Sequence, residues 1–283
     1  MRVLVAGATG YIGSAVAERL AEQGHEVVAL VRPKAGETRA VPGAAEVRYG
    51  DLADPASLAG AAADVDVVVH ATAPSGDEAV ELAAIDALLA GGAKLVYTSG
   101  IWLLGAGTSD EDSAPDPIPL VRFRVAVERR VLGAGGVVVR PGIVYGRGGG
   151  IPALLVAKAA EHGRGRYVSA AGQEPAWPTV HVDDLADLYV AVVERGEPGA
   201  VFHAVGEEAV PLGAVAEAAA EAAGVTGGGV EAWPVGEASR DLGAAFAEAL
   251  ALRQTVSAAR TRKELGWTPS RPGLVADLAG GSY

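Results

Sequence analysis

The chain has 283 residues, half of them hydrophobic and 20% charged, with a mean hydropathy of +0.26, which excludes an intrinsically disordered chain. Its net charge of −12 and pI near 4.9 leave no electrostatic footprint for nucleic acid or for an anionic membrane. The absence of cysteine excludes disulfides, thiolate nucleophiles and cysteine-ligated metals.

In chain order, short β-branched runs alternate with alanine-rich stretches of helical spacing. Val3–Ala6 reads as a strand, Ile12–Gln23 as a helix and Glu26–Val31 as a second strand. Val47–Tyr49, Val65–His70, Lys94–Thr98 and Gly136–Arg140 continue the strand series, with helices expected over Pro55–Ala63, Asp77–Ala90 and Ile118–Leu132. This alternation, with strands apolar on both faces, predicts a parallel sheet covered by helices on either side. After Gly146 the pattern changes, with Gly/Arg-rich segments around a helix at Pro152–Glu161. A helix at His181–Glu194, a strand at Val201–Val205 and a helix at Leu212–Ala223 follow, and the short glycine run Gly224–Gly229 reads as a loop. The first apolar run leads straight into a glycine-rich turn, so no signal peptide is expected. No uncharged apolar stretch reaches the roughly 18–20 residues of a membrane span. The expectation is a cytoplasmic protein that acts on a small molecule and engages neither nucleic acid nor membrane.

The most informative motif is Gly7-Ala8-Thr9-Gly10-Tyr11-Ile12-Gly13, placed between the first strand and the first helix. Glycines there permit a tight turn and let backbone N–H groups approach a pyrophosphate at the positive helix N-terminus, which predicts a dinucleotide site. An NAD binder places an acid about 20 residues further on, to grip the ribose 2′-OH. Here that place holds Val31 and Arg32, with Lys34 and Arg39 following. Arg32 without a competing carboxylate suits a 2′-phosphate, so NADP(H) is favoured over NAD(H). Asp51, in Gly50-Asp51-Leu52, either meets the adenine or caps the next helix.

With GATGYIG at the start, GDL at 50–52, VVVHATA at 67–73, RPGIVYG at 140–146 and ELGWTP at 264–269, the chain resembles the short-chain dehydrogenase/reductase superfamily. It is most similar to the extended or atypical branch, of the NAD-dependent epimerase/dehydratase type, over nearly its whole length. The resemblance implies an α/β fold: a doubly wound parallel Rossmann sheet with a small discontinuous C-terminal substrate domain. Residues 1–146, completed by 179–206, would form the NAD(P)-binding part, and 147–283 mainly the substrate part. It makes Gly7, Gly10 and Gly13 the diphosphate turn, with Thr9, Tyr11 and Ile12 among its backbone donors. Asp51 and Leu52 would fall beside the adenine, Ala71, Thr72 and Ala73 along the ribose, and Pro141 and Ile143 beside the nicotinamide carboxamide. It also implies a homodimer through the helices at 77–90 and 118–132.

The superfamily's catalytic group is Tyr-x-x-x-Lys with an upstream Ser or Thr; the lysine lowers the tyrosine pKa so that the phenol exchanges a proton with the substrate oxygen. No tyrosine of this chain has a lysine four residues later. Anchored on Glu128, the segment Pro119–Glu128 places Leu120 at the tyrosine position and Arg124 at the lysine position. Arg124 suits the ribose hydrogen bonds of the missing lysine, but its pKa is too high for proton exchange. Anchored on Gly105, the upstream segment places Gly100 at the Ser/Thr position, with Ser99 there if the register slips by one.

Two substitutes for the lost phenol present themselves. Tyr145, just past the sixth strand, lies at the carboxyl edge where open α/β sheets bind ligands, and the competing role is a packed aromatic at the domain junction. His181, in Trp177–Leu185, is the second candidate because imidazole is a common acid–base group, the competing role being a structural hydrogen-bonder. Trp102, Tyr167, Trp177 and Trp233 are expected to line a substrate cleft for an apolar or planar molecule, or else to pack the roof. Arg147, Arg164 and Arg166 either bind an anionic substrate or are plain solvated charge. The histidines show no metal-ligand spacing, so no metal is expected. The function expected is an NADP(H)-dependent oxidoreductase acting on a small carbonyl-like molecule with a non-standard proton donor. The alternatives are a non-catalytic NADP-binding sensor and a non-redox cyclase or dehydratase on the same scaffold.

Overall fold

The computed structural model describes residues 1–33 and 40–283. Lys34 and Arg39, expected near the 2′-phosphate, lie outside the described residues. The first half contains β1 (Arg2–Ala6), α1 (Tyr11–Glu22), β2 (Glu26–Val31), β3 (Glu46–Tyr49), α2 (Pro55–Ala61), β4 (Val67–His70), α3 (Glu78–Leu89), β5 (Lys94–Thr98) and β6 (Gly107–Ser109). Then come α4 (Arg124–Gly133), β7 (Val137–Pro141), β8 (Ile143–Tyr145), α5 (Gly150–His162), β9 (Gly165–Ser169), β10 (Ala176–His181) and α6 (Val182–Arg195). The remainder is β11 (Val201–Ala204), β12 (Glu207–Pro211), α7 (Leu212–Ala222), β13 (Val230–Pro234), α8 (Val235–Leu242), α9 (Ala244–Leu250), β14 (Gln254–Val256), α10 (Ala259–Leu265) and α11 (Leu274–Ala279).

The main sheet is parallel throughout, in the order β11-β7-β5-β4-β1-β2-β3. Period-two alternation assigns its residues to two cores. Val3, Val5, Val67, Val69 and Val137 face the layer formed by α1 and α6, while Leu4, Ala6, Val68 and Val138 face α2, α3 and α4. Each fully buried Val or Leu contributes roughly 1.5–3 kcal/mol. Strand order reverses between β1 and β4, and ligands of such sheets bind outside the carboxyl ends at that point.

A third core gathers Ile143, Leu155, Val168, Trp177, Leu212 and Leu250, together with Trp233 and Leu274, under the sheet β12-β10-β8 and the β13-β9 pair. Its helices α8 and α9 are only eight and seven residues long, too short to be expected from sequence periodicity, and α9 is alanine-rich as well. The helix expected over Ile118–Leu132 is split. Pro119, which lacks an N–H, opens a 3₁₀ turn at Pro119–Val121, and α-helical bonding starts only at Arg124. Helix α6 starts one residue later than expected because His181 is its N-cap. Further on, Gly266 takes a left-handed conformation (φ 62°) that ends α10, after which the buried Trp267 Nε1–H donates to Asp184 O at 2.8 Å.

Candidate active site

The site begins at the β1–α1 turn. Gly7 has φ +90°, and a Cβ there would stand 2.5 Å from Ala71 O on the adjoining chain after β4. A Cβ on Gly13 would overlap Gly7 O, so both glycines are required by backbone crowding. Gly10 N–H donates to Gly7 O at 2.8 Å, closing the turn, and among the described residues no side chain caps α1. The first-turn amides of α1 are therefore available to an anion, and the turn fits a dinucleotide pyrophosphate.

A cleft of about 420 Å³ extends from this turn over the carboxyl ends of β1, β2 and β3. Gly7, Thr9 and Gly10 form one wall, Ala71, Thr72 and Ala73 another, and Arg32 and Leu52 close the far end. Asp51 does not cap the next helix, and its neighbours Gly50 and Leu52 line the cleft. Its Oδ1 accepts from Ala53 N–H at 3.0 Å in a local turn, while Asp54 is the residue preceding α2. Asp51 Oδ2 lies 3.4 Å from Arg32 Nε, so the expectation of an arginine without a competing carboxylate is corrected. The β2–β3 pairing brings the two strand ends side by side, a proximity invisible in the linear spacing.

A second cavity, of about 560 Å³, starts where the first ends, with Tyr11 and Ile12 following Gly10 and Pro74 following Ala73. Pro141, Gly142 and Ile143 lie along it, at the nicotinamide position that the resemblance implies. Leu120 and Arg124 both line it, Leu120 being 36% exposed. Arg124 Nη1 donates to Thr98 O at 2.8 Å and to Tyr97 OH at 3.2 Å, which fixes the guanidinium against the wall. Ser99 also lines the cavity, and its buried Oγ has no hydrogen-bond partner among the described residues. Gly100 is in the wall too, but only Ser99 of this pair brings a hydroxyl. Tyr11 is a wall residue whose OH donates to Gly146 O at 2.8 Å, and burial pushes its phenol well above the usual range.

The other acid–base candidates lie elsewhere. Tyr145 is 3% exposed in the third core and its OH donates to Pro272 O at 2.8 Å. Burial, reinforced by Glu207, Asp184 and Asp277, pushes its phenol upward. Ile143 and Val144 of β8 line the cavity, whereas Tyr145 packs in the third core against the His181 ring, 5.3 Å away edge-on, and is not part of the cavity wall, so the expectation that it sits as the proton donor there is corrected. His181 accepts from Asp183 N–H at Nδ1, 3.1 Å away, which leaves its ring proton on Nε2, 3.9 Å from Asp277 Oδ1. It is a buried helix cap outside the cavity wall, and the catalytic expectation for it is likewise corrected.

Of the four expected substrate aromatics, Trp102 alone lines the cavity. Trp177 is buried with Nε1–H donating to Leu250 O at 3.1 Å, and Trp233 is buried beneath the Arg166 guanidinium, 4.5 Å above its ring. Tyr167 borders a separate groove with Glu174 and Glu217. Alternation along β9, β10 and β13 points these rings into the third core or away from the cavity. The three arginines are held by carboxylates. Arg147 meets Glu18 and Asp183 at 2.7 Å each, and Arg164 and Arg166 share Glu231 at 2.8 and 3.0 Å. Phe246 and Ile151, from α9 and α5, complete the roof and were not anticipated, because an apolar residue in a helix reads as core. Among the described residues no group of three or more His, Cys, Asp or Glu side chains converges as a metal site, and no helix is long and apolar enough to cross a membrane.

Residues 3–98, which contain the dinucleotide turn and β1 to β5, match the model of the NAD dependent epimerase/dehydratase family. An uncharacterized protein of Saccharomyces cerevisiae is 32% identical over 98% of this chain and 98% of its own. A 2-alkyl-3-oxoalkanoate reductase of Stenotrophomonas maltophilia is 30% identical over 71% of this chain and 67% of its own. The human epimerase family protein SDR39U1, solved with NADPH, superposes with a TM-score of 0.76 at 23% identity over 100% of this chain and 99% of its own, a likeness of fold. The glycine turn, the strand order and relatives that span the chain end to end all point to one assignment: the chain belongs to the NAD dependent epimerase/dehydratase family.

Proposed function

We propose that the protein is an NADPH-dependent reductase of a small carbonyl-like substrate that works without a tyrosine acid. The observation that carries this reading is the junction of the two cavities. Next to the dinucleotide cradle, and lined by the following residues of the same two loops, lies a pocket that presents Leu120 at the expected phenol position, with a fixed Arg124 and a Ser99 hydroxyl that has no partner among the described residues. Backbone amides of Tyr11, Ile12 and Gly13 would hold the pyrophosphate, Leu52 the adenine, and Ala71 to Ala73 the adenosine ribose. Arg32, three-quarters exposed, turns from Asp51 to a 2′-phosphate at little cost, since an exposed ion pair is worth only about 0–1 kcal/mol.

A reduced nicotinamide supplies hydride when bound, and hydride transfer is the cofactor's own chemistry. Ser99 Oγ donates a hydrogen bond to the substrate oxygen, and the Arg124 charge lowers the cost of negative charge developing there. Arg124 cannot release a proton near neutrality, and the Tyr11 hydroxyl is committed to Gly146 O. Solvent at the open mouth therefore provides the proton that completes the alcohol. Residues 1–146 with 179–206 hold the cofactor, the rest of 147–283 roofs the substrate, and the protein works as a cytoplasmic homodimer paired through α3 and α4.

The reading is tested by titrating NADPH and NADH separately and following absorbance at the reduced-nicotinamide band with a panel of ketones and aldehydes. Tight NADPH binding with turnover supports it. Arg32→Ala is expected to weaken NADPH binding about tenfold, the scale of one charge-assisted contact, and to leave NADH binding unchanged. A second reading, a non-catalytic NADP(H) sensor, is favoured by the same Leu120 in the cavity wall. Tight NADPH binding with no turnover across the panel would select it.

A further inference from the structure

The charge and hydrogen-bonding inventory of the second cavity restricts the molecule it holds. Among the described residues Arg124 is the sole formally charged one in its wall, and one of its guanidinium nitrogens is spent on Thr98 O and Tyr97 OH. Arg147, Arg164 and Arg166 are tied to Glu18, Asp183 and Glu231, and the exposed Arg122, between Val121 and Phe123, is not part of the wall. A diphosphate brought into this pocket would therefore lose its hydration without gaining paired cations, which is prohibitive for a doubly charged group. The remaining wall is mainly apolar, with Ile101, Leu120, Phe123, Ile151 and Phe246 prominent. Trp102 meets Phe246 edge-on at 6.2 Å, and its buried Nε1–H has no acceptor among the described residues. A buried indole N–H normally finds a partner, so an acceptor is missing beside this ring.

We infer that the cavity selects an apolar aryl or alkyl carbonyl compound, neutral or with at most one anionic group, whose body packs on Leu120 and Phe246 and whose acceptor atom is met by Trp102 Nε1, and that it rejects nucleotide sugars. That the molecule is reduced there rests on the reductase reading; its shape and charge stand on the cavity wall.

Binding tests this apart from turnover. The probes are 4-phenyl-2-butanone and UDP-glucose, titrated into the full chain in the presence of NADP⁺ and followed by calorimetry and tryptophan emission. Trp177, Trp233 and Trp267 are each at most 5% exposed and lie outside the cavity wall, so a ligand there perturbs Trp102 directly. The expected result is saturable binding of the phenyl ketone with a change in emission, and none of UDP-glucose. Trp102→Phe keeps a ring against Phe246, removes the N–H and should weaken ketone binding roughly twofold to tenfold while abolishing the emission change. Circular dichroism checks that this variant is folded.

Tighter binding of UDP-glucose than of the ketone, or no saturable ketone binding, overturns the inference, as does unaltered ketone affinity in folded Trp102→Phe. Ketone binding without oxidation of NADPH by any carbonyl compound upholds the pocket's selectivity and overturns the reductase reading instead.

Discussion

His70 ends β4 directly beneath the dinucleotide cleft, and its burial makes a quantitative test of how the site is built. The ring is 2% exposed, its Nδ1 has no partner among the described residues, and its Nε2 lies 3.3 Å from the hydroxyl of Thr72 in the cleft wall. Burial holds the imidazole down at about 4 against an ordinary 6.5; Glu81 raises it and Arg124 lowers it further. The folded state therefore resists a proton that the unfolded chain accepts. Above the ordinary value both states are neutral and the group contributes no pH dependence. As the pH falls from 6.5 towards 4, stability is lost at about 1.4 kcal/mol per unit, reaching about 3 kcal/mol. Urea denaturation of the protein and of His70→Gln, each at about pH 7.5 and about pH 4.5, isolates this from the carboxylates, which titrate in both. The variant should lose about 2.5 kcal/mol less than the parent over that interval. Equal losses in the two proteins would refute the argument that His70 is buried neutral.

Tyr145→Phe is expected to keep full reductase activity and to lower unfolding stability by about 1 kcal/mol, because it removes only the bond to Pro272 O; a large fall in kcat with unchanged stability would restore Tyr145 as the acid. Gly13→Ala places a methyl group on Gly7 O, so NADPH affinity measured by fluorescence should fall at least about tenfold with helical content preserved. Glu128→Ala strands Arg140, whose Nε and Nη2 now donate to both carboxylate oxygens at 3.0 and 2.6 Å with each side chain about 5% exposed or less. Thermal or chemical denaturation should show a loss of about 3–5 kcal/mol.

The comparison of sequence with structure divides along the range of the interactions involved. Gly7, Gly10 and Gly13 were legible because a turn between a strand and a helix is a local object, and its crowding against Ala71 repeats in any chain that pairs β1 with β4. Leu120 and Arg124 were legible by register from Glu128, and both line the cavity although a 3₁₀ turn replaces the first part of the expected helix. Arg32 was half legible: its position is local, but its carboxylate partner comes from the end of a neighbouring strand.

By itself, the sequence determined the parallel sheet, the dinucleotide turn and the loss of the Tyr-Lys pair, since β-branched runs, glycine spacing and residue identity act over a few bonds. Tertiary structure alone decided which side chains reach the second cavity. A strand alternates its residues between two faces, but which face meets a cavity depends on what packs across it. For Tyr145 the partner is Pro272, for Trp177 it is Leu250, and the roof over the cavity comes from Phe246. Those contacts join segments dozens to more than a hundred residues apart, where no local pattern registers them, and they left Ser99, Trp102 and Arg124 among the polar residues of the cavity wall.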